Sequence, residues 1–349
     1  SADGTTWAPI AGATTDSYDA PTGAAGTTYY RVLIDAADDG CDAVTSDQAE
    51  VEIQEDIEIT AQPVDDSICS GGTSTLSVAI SGGAGTISYQ WESAASASGP
   101  FTAIAGATNA TYLTSVLTNT TYYRVIVAGS ASDCDAVTSA VAQVEVIDDL
   151  VVTAQPTDDS ICEGGSTDLS VSVSGGAGII TYQWQESTSI AGPFVDITGA
   201  TDANYSTPSL TVTTYYQVII SASASGCDPV TSVVAEVEVI DDLDITAQPA
   251  DDSICEGGTS TLSVAISGGA GNVEYQWQIA DNAAGPFTDI SGATNATYTT
   301  EALTATTYYQ VLVEASASGC EAATSAIATI TVIDDLAITA QPQDDEICE

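Results

Sequence analysis

Eight cysteines and a recurring set of paired acids are the residues of this chain whose types and spacing could do chemistry. Cys69, Cys162, Cys255 and Cys348 follow at one step, since 162 − 69 = 255 − 162 = 348 − 255 = 93, and Cys41, Cys134, Cys227 and Cys320 keep it. Thiols locked to a repeat point to disulfides, hence to an oxidising, extracellular setting. Zinc is the competing chemistry, but CxxC pairs and histidine are both absent, so no four-ligand set is in view. The acids Asp148-Asp149, Asp241-Asp242 and Asp334-Asp335 recur where one repeat gives way to the next, and Glu55-Asp56 stands in their place upstream. Calcium takes about six to eight oxygen ligands. Two linker carboxylates, with Asp228 or (one copy later) Glu321 from the loop facing the junction, would supply much of that shell. The plainer reading is solvated linker charge, and both readings stay open.

Other chemistry is poorly served. Without His or Lys the usual general bases and Schiff-base nucleophiles are missing. The pair Asp158-Asp159 has the residue types of a glycosidase dyad. Adjacent residues on an extended segment, however, point to opposite faces and not across a cleft. We therefore expect no enzyme. The chain carries 49 Asp plus Glu against Arg31 and Arg124 alone, a formal net charge of −47. Nucleic acid and anionic membrane surfaces both need cations on the protein, so neither is an expected partner. Acidity of this degree can accompany disorder, but 44% of residues are hydrophobic and fall in strand patterns. No apolar run is long enough to span a membrane, and the 349 residues contain neither a Met nor a signal peptide. They read as a window cut from a longer array.

The elements that position these residues repeat with them. Ile147 to Gly165, IDDLVVTAQPTDDSICEGG, recurs from Gln54, Ile240 and Ile333, as both joint and first strand of each unit. A fixed period means an array of one structural unit. The boundaries expected are a C-terminal half-repeat at 1–56, complete repeats at 57–149, 150–242 and 243–335, and a further first strand at 336–349. Within the copy from Leu150, TDLSVSVS alternates with Leu169, Val171 and Val173 on one face, and TYYQVII turns Tyr216, Val218 and Ile220 inward. IITYQWQ places Tyr182 and Trp184 inward, so Trp91, Trp184 and Trp277 are candidate core residues. Seven or so short strands, with turn signals about every 8–12 residues and no helical period, predict an all-β fold of tandem immunoglobulin-like sandwiches in a head-to-tail rod.

Antibody domains pair two cysteines across the core, but here those inward positions are Val171 and Val218. The cysteines are expected outside the strands. Pairing within a repeat, Cys69 with Cys134 and Cys162 with Cys227, is one solution. Geometry favours another. Cys162 precedes the second strand at one end of the sandwich, and Cys227 follows the sixth strand at the other. A strand such as Thr214 to Ile220 spans roughly 24 Å at about 3.4 Å per residue, whereas a disulfide needs Cα atoms within about 7 Å. Head-to-tail stacking instead brings Cys69 to Cys227 and Cys162 to Cys320. Cys41, Cys134, Cys255 and Cys348 would then find partners in further repeats or in a neighbouring chain.

ICEGG, LSVSVSGG, YQW, TTYY and SGC followed by an acid resemble the tandem Ig-like repeats of very large cell-surface and secreted proteins of Bacteroidetes. Some of that family are adhesins or gliding filaments exported by the type IX system. The resemblance implies an extracellular, cell-surface location. It also implies that DSI is similar to the Asp-Ser/Thr-aliphatic sequon for O-glycans, which would place sugar on Ser67, Ser160 and Ser253. The function expected is the shaft of an extracellular filament or giant adhesin, with neighbouring repeats or identical chains as partners. The alternative is an array whose loops bind glycans or proteins directly. Those loops are Ala, Ser, Gly and Thr, without the exposed aromatics that such binding uses.

Overall fold

The computed structural model describes residues 1–21, 23–35, 42–131 and 135–346, and among these every regular element is a β-strand. Cys41, Cys134 and Cys348 lie outside the described residues. The chain divides into two compact units. The first comprises Ser1–Asp149 with two inserts from later in the sequence, Gly175–Ile179 and Ala222–Asp228; the second holds the rest from Leu150 onward.

In the first unit, the repeat at 57–149 is a two-sheet sandwich. One sheet runs, edge to edge, Thr102–Ala103, Ile87–Ala94, Thr121–Gly129, Ala142–Ile147 and Asp66–Cys69. The other face is built from two strand pairs, Thr111–Leu113 with Thr75–Ser77 and Glu58–Ala61 with Ala79–Ser81. Alternation decides which side chains go inside: along Thr121–Gly129, Tyr123, Val125 and Val127 are buried and their neighbours are not. Trp91 lies opposite Val125 in the register and packs in one core with Leu76, Val78, Val125 and Val144. Upstream, Gly26–Tyr30 pairs with Ala49–Ile53 and Leu33–Ile34 with Val44–Thr45, the last-hairpin portion of the same design.

The second unit repeats the arrangement. Its two larger sheets run Asp159–Cys162, Ala235–Ile240, Thr214–Ala222, Ile180–Ser187, Val195–Asp196, and the same again from Asp252–Cys255 to Thr288–Asp289. Trp277 packs with Leu262, Val264, Val311 and Ile330. Trp91, Trp184 and Trp277 are all 0% exposed. Each indole N–H donates to a loop carbonyl 2.9 Å away, on Asn109, Asp202 and Asn295 respectively. A buried indole without such a partner would be costly.

Two details differ from the sequence reading. The first strand does not simply continue into the cysteine; the chain changes sheets between them. Val151–Ala154 pairs antiparallel with Ser172–Ser174, then Asp159–Cys162 runs parallel to Ala235–Ile240 on the opposite sheet. Pro156 sits in that crossover, where no ladder bond is asked of its nitrogen. Cys69, Cys162 and Cys255 thus end strands and do not stand outside them. Residues 336–346 carry no strand, because the antiparallel partner that this element has in each repeat, such as Ala79–Ser81, has no counterpart there.

Candidate functional site

Acids and glutamines of the recurring first segment build the crossover that presents each cysteine. The Gln62 side-chain carbonyl accepts the Ala140 amide at 2.8 Å, and the Asp65 carboxylate accepts that of Gln143 at 2.7 Å. Asp66 accepts the Ser67 amide at 2.9 Å and the Ser74 hydroxyl at 2.5 Å. Gln155 and Asp158, then Gln248 and Asp251, make the same clasps, the glutamines just before and the aspartates on the last strands of their repeats. At Asp252 the Ser260 hydroxyl and the Ser253 amide hold the carboxyl below its ordinary range. The adjacent acids therefore work apart, as backbone and hydroxyl acceptors on two sides of the segment.

A tight turn follows each cysteine. In the first unit the Gly72 amide returns to the Cys69 carbonyl at 3.0 Å, and Gly71, at φ +88°, donates to Leu117 at 2.8 Å. This turn is a seat. The Ser225 carbonyl accepts the Cys69 amide at 3.0 Å, and the Ser225 hydroxyl accepts the Thr73 amide at 2.9 Å. A Cβ on Gly72 would stand 2.3 Å from the Ser225 oxygen, and one on Gly226 would stand 2.4 Å from the Gly72 nitrogen. Glycine on both sides is what lets the two backbones meet. Cys227 then bonds Cys69 with Cα atoms 4.9 Å apart, and Cys69 is 0% exposed.

The loop that enters this seat is itself fastened. The Ser223 hydroxyl accepts the Ile179 amide at 2.8 Å, while the Ser223 and Ala224 amides donate to Ile179 and Ala177 at 3.0 and 3.2 Å. The linker is tied to the same turn: Gly176 donates to the Asp148 carbonyl at 2.8 Å, and a Cβ on Gly175 would meet the Asp149 carbonyl at 2.2 Å. Gly83 and Gly82 hold the Glu55 and Asp56 carbonyls in the same way.

The second unit contains the seat again. Cys162 bonds Cys320 at a Cα separation of 4.9 Å, the Cys162 amide donates to the Ser318 carbonyl at 3.0 Å, and the Ser166 amide to its hydroxyl at 3.0 Å. Gly165 faces the Ser318 carbonyl as Gly72 faces that of Ser225. Both disulfides span 158 residues of sequence, so each joins cysteines belonging to successive copies of the motif and not to one copy. Neither Cys162 nor Cys227 takes the other as partner, which removes that within-repeat pairing.

The remaining candidates are placed as follows. Asp148, Asp149, Asp228, Asp241, Asp242 and Glu321 are all exposed, and among the described residues no three acids, cysteines or histidines gather as metal ligands. What the linker pairs contribute here is their backbone carbonyls, which side-chain types could not disclose. Ser67 and Ser160 are half-buried on the cysteine-bearing strand, and Ser253 is exposed. Both arginines are engaged internally. Arg31 stacks over Trp7 and Arg124 over Phe101, each 4.3 Å from the ring centroid, and Arg124 pairs with Glu92 at 2.7 Å. At the Arg124 position later repeats carry Gln217 and Gln310, bonded to Gln185 and Gln278 at 2.7 Å.

Four blocks of the sequence, 1–55, 59–148, 152–241 and 245–334, match the family described as Domain of unknown function (DUF8696). Among solved structures, three N-terminal domains of the bacteriophage RB49 Highly Immunogenic Outer Capsid protein (Hoc) match with a TM-score of 0.53 at 14% identity. That match covers 80% of this chain and 99% of that one, and it shows the Ig-like fold. Immunoglobulin domains of Sidekick-1 (TM-score 0.41, 15% identity, 90% of this chain and 68% of that one) also match. So does an I-band fragment of titin (TM-score 0.39, 13% identity, 79% of this chain and 98% of that one). A search of curated proteins finds no match.

Proposed function

We propose that this chain, which belongs to the DUF8696 family, is a covalently latched segment of the shaft of an extracellular filament or surface adhesin. One observation carries the reading: each disulfide joins cysteines of successive repeats, 158 residues apart. A bond closed within a repeat would stabilise that repeat alone. Cys69–Cys227 and Cys162–Cys320 instead make two covalent nodes with three backbone segments between them: Cys69 to Cys162, Cys162 to Cys227, and Cys227 to Cys320. Tension applied through the chain is shared among these segments, and unfolding of one repeat cannot pay out its whole length. Such wiring suits a load-bearing spacer.

The rival is an array that binds through its loops. The Ser-Gly-Cys loop, one of the loops such binding would use, is spent in the latch at both filled seats, which favours the shaft. The Bacteroidetes-type resemblance supports a cell-surface setting, and disulfides fit an oxidising compartment. No helix is long and apolar enough to cross a membrane among the described residues. Negative-stain imaging of the native protein tests the shaft. A continuous fibre built of this repeat is expected, and isolated short particles would count against it. Calcium at the linkers and O-glycans on Ser67, Ser160 and Ser253 are separate proposals. The first is supported by carboxylate density and the second by the DSI motif. Intact-mass measurement of native protein, with a surplus of whole sugar residues, is the expected sign of the glycans.

A further inference from the structure

The latch seat occurs three times among the described residues, and two of the three are filled. The third comprises Cys255, Gly257, Gly258 and Thr259. Its backbone is already in the filled form. Gly257 has φ +80° and donates to Leu303 at 2.8 Å, and Gly258 donates to the Cys255 carbonyl at 2.9 Å. The corresponding bonds at Gly71 and Gly72 are 2.8 and 3.0 Å. A Cβ on Gly258 would meet the Cys255 carbonyl at 3.0 Å, the same distance as between Gly72 and the Cys69 carbonyl, but no counterpart of the Ser225 oxygen stands over it. The thiol of Cys255 is free and exposed. Ile254 is half-exposed where Ile68 and Ile161 are each 1% exposed, so the apolar base of the seat is uncovered as well.

We propose that this turn is an acceptor for the Ser-Gly-Cys loop of another repeat of the same kind, which it binds by backbone hydrogen bonds before sulfur bonds to sulfur. The proposal rests on the latch reading and names the partner that completes it. The occupant is specified by the two filled seats. A carbonyl and a hydroxyl from one serine accept the amides of Cys255 and Thr259, as Ser225 does for Cys69 and Thr73. A glycine in the left-handed region must follow, because a side chain there would collide with the Gly258 nitrogen, as it would at Gly226 and Gly319 against Gly72 and Gly165. The cysteine comes next. Thiolate of one partner attacks a disulfide sulfur of the other, held as a mixed disulfide with a small thiol, and that small thiol leaves with the displaced electron pair.

The test leaves the protein unaltered. The intact chain is equilibrated in a glutathione redox buffer with two competing peptides, Ser-Ala-Ser-Gly-Cys-Asp, the sequence of 223–228, and the same peptide with Ala for Gly. Occupancy of Cys255 is read by peptide mapping, and amide exchange is followed at Cys255 and Thr259. The glycine peptide is expected to win by roughly tenfold, the ratio that about 1.4 kcal/mol of lost fit produces. It should also slow exchange at both amides, and the alanine peptide should not. Equal occupancy by the two peptides, or coupling without amide protection, would overturn the proposal, since either means a thiol reacting without a seat. Such a failure leaves the two filled latches untouched, and single-molecule extension tests those on their own.

Discussion

Trp184 is fully buried, its indole N–H is bonded to the Asp202 carbonyl, and its ring lies 5.9 Å from that of Tyr205. Val171 and Val218, which replace an antibody's cysteines, are 5% and 0% exposed. Trp184→Ala should therefore cost about 3–5 kcal/mol, the range for a large aromatic lost from a packed core, read by denaturant unfolding. The tyrosines behind the tryptophans set an upper pH limit. Burial pushes the Tyr123 and Tyr309 phenols from 10.0 up to about 12, and pushes Tyr216 in the same direction. The hydroxyl of Tyr216 is buried without a hydrogen-bond partner. A phenol raised on folding binds its proton more tightly in the native state. The stability it contributes is whole below pH 10 and is lost as the pH climbs towards about 12. Melting temperature followed across that window should fall, with tyrosine ionisation coincident with unfolding; a flat profile would show that these phenols titrate freely in the native protein.

At the scale of the element, each filled seat contains one glycine whose own backbone does not demand it, beside others in the left-handed region. Gly72 is outside the left-handed region, and only the Ser225 carbonyl excludes a side chain there. Gly72→Ala should leave the core intact and overpack the seat by about 1–3 kcal/mol. The Cys69–Cys227 bond should then be half-reduced at a ratio of reduced to oxidised dithiol about 5- to 150-fold lower. Gly165→Ala should act in the same way on Cys162–Cys320 alone, and loss of both bonds from either variant would contradict the independence of the seats. Much of this was legible beforehand. The period set the spacing of the cysteines, alternation in Thr214–Ala222 and its copies placed the core, and the length of a strand pointed to Cys69 meeting Cys227 and Cys162 meeting Cys320, although the cysteines end strands and were expected outside them. The seats and linker clasps were not legible, because their acceptors are backbone carbonyls of Ser225, Asp148 and Asp149, which no side-chain pattern reports. The sheet change between Ala154 and Asp159 was hidden for a similar reason: its signal is the Gln155 and Asp158 side chains, which look like solvated groups until their amide partners, Val233 just before the last strand and Glu236 on it, are seen.

For the molecule as a whole, the acids and the latches make separate claims. If calcium binds at Asp148-Asp149 or Asp241-Asp242, scattering with and without chelator should differ in maximum dimension, and an unchanged dimension would remove calcium from the account. The latches are tested by length. With both disulfides intact, extension between the nodes is limited by the shortest of the three segments, the 65 residues from Cys162 to Cys227 (227 − 162). Once reduced, the full 251 residues from Cys69 to Cys320 (320 − 69) are free to extend. The decisive measurement is single-molecule pulling from the chain ends before and after reductant. At about 3.3–3.6 Å per residue, the fully unfolded contour should lengthen on reduction by roughly 600–670 Å. A contour that is the same in both conditions would mean that the chain bears load without its latches and would contradict the account.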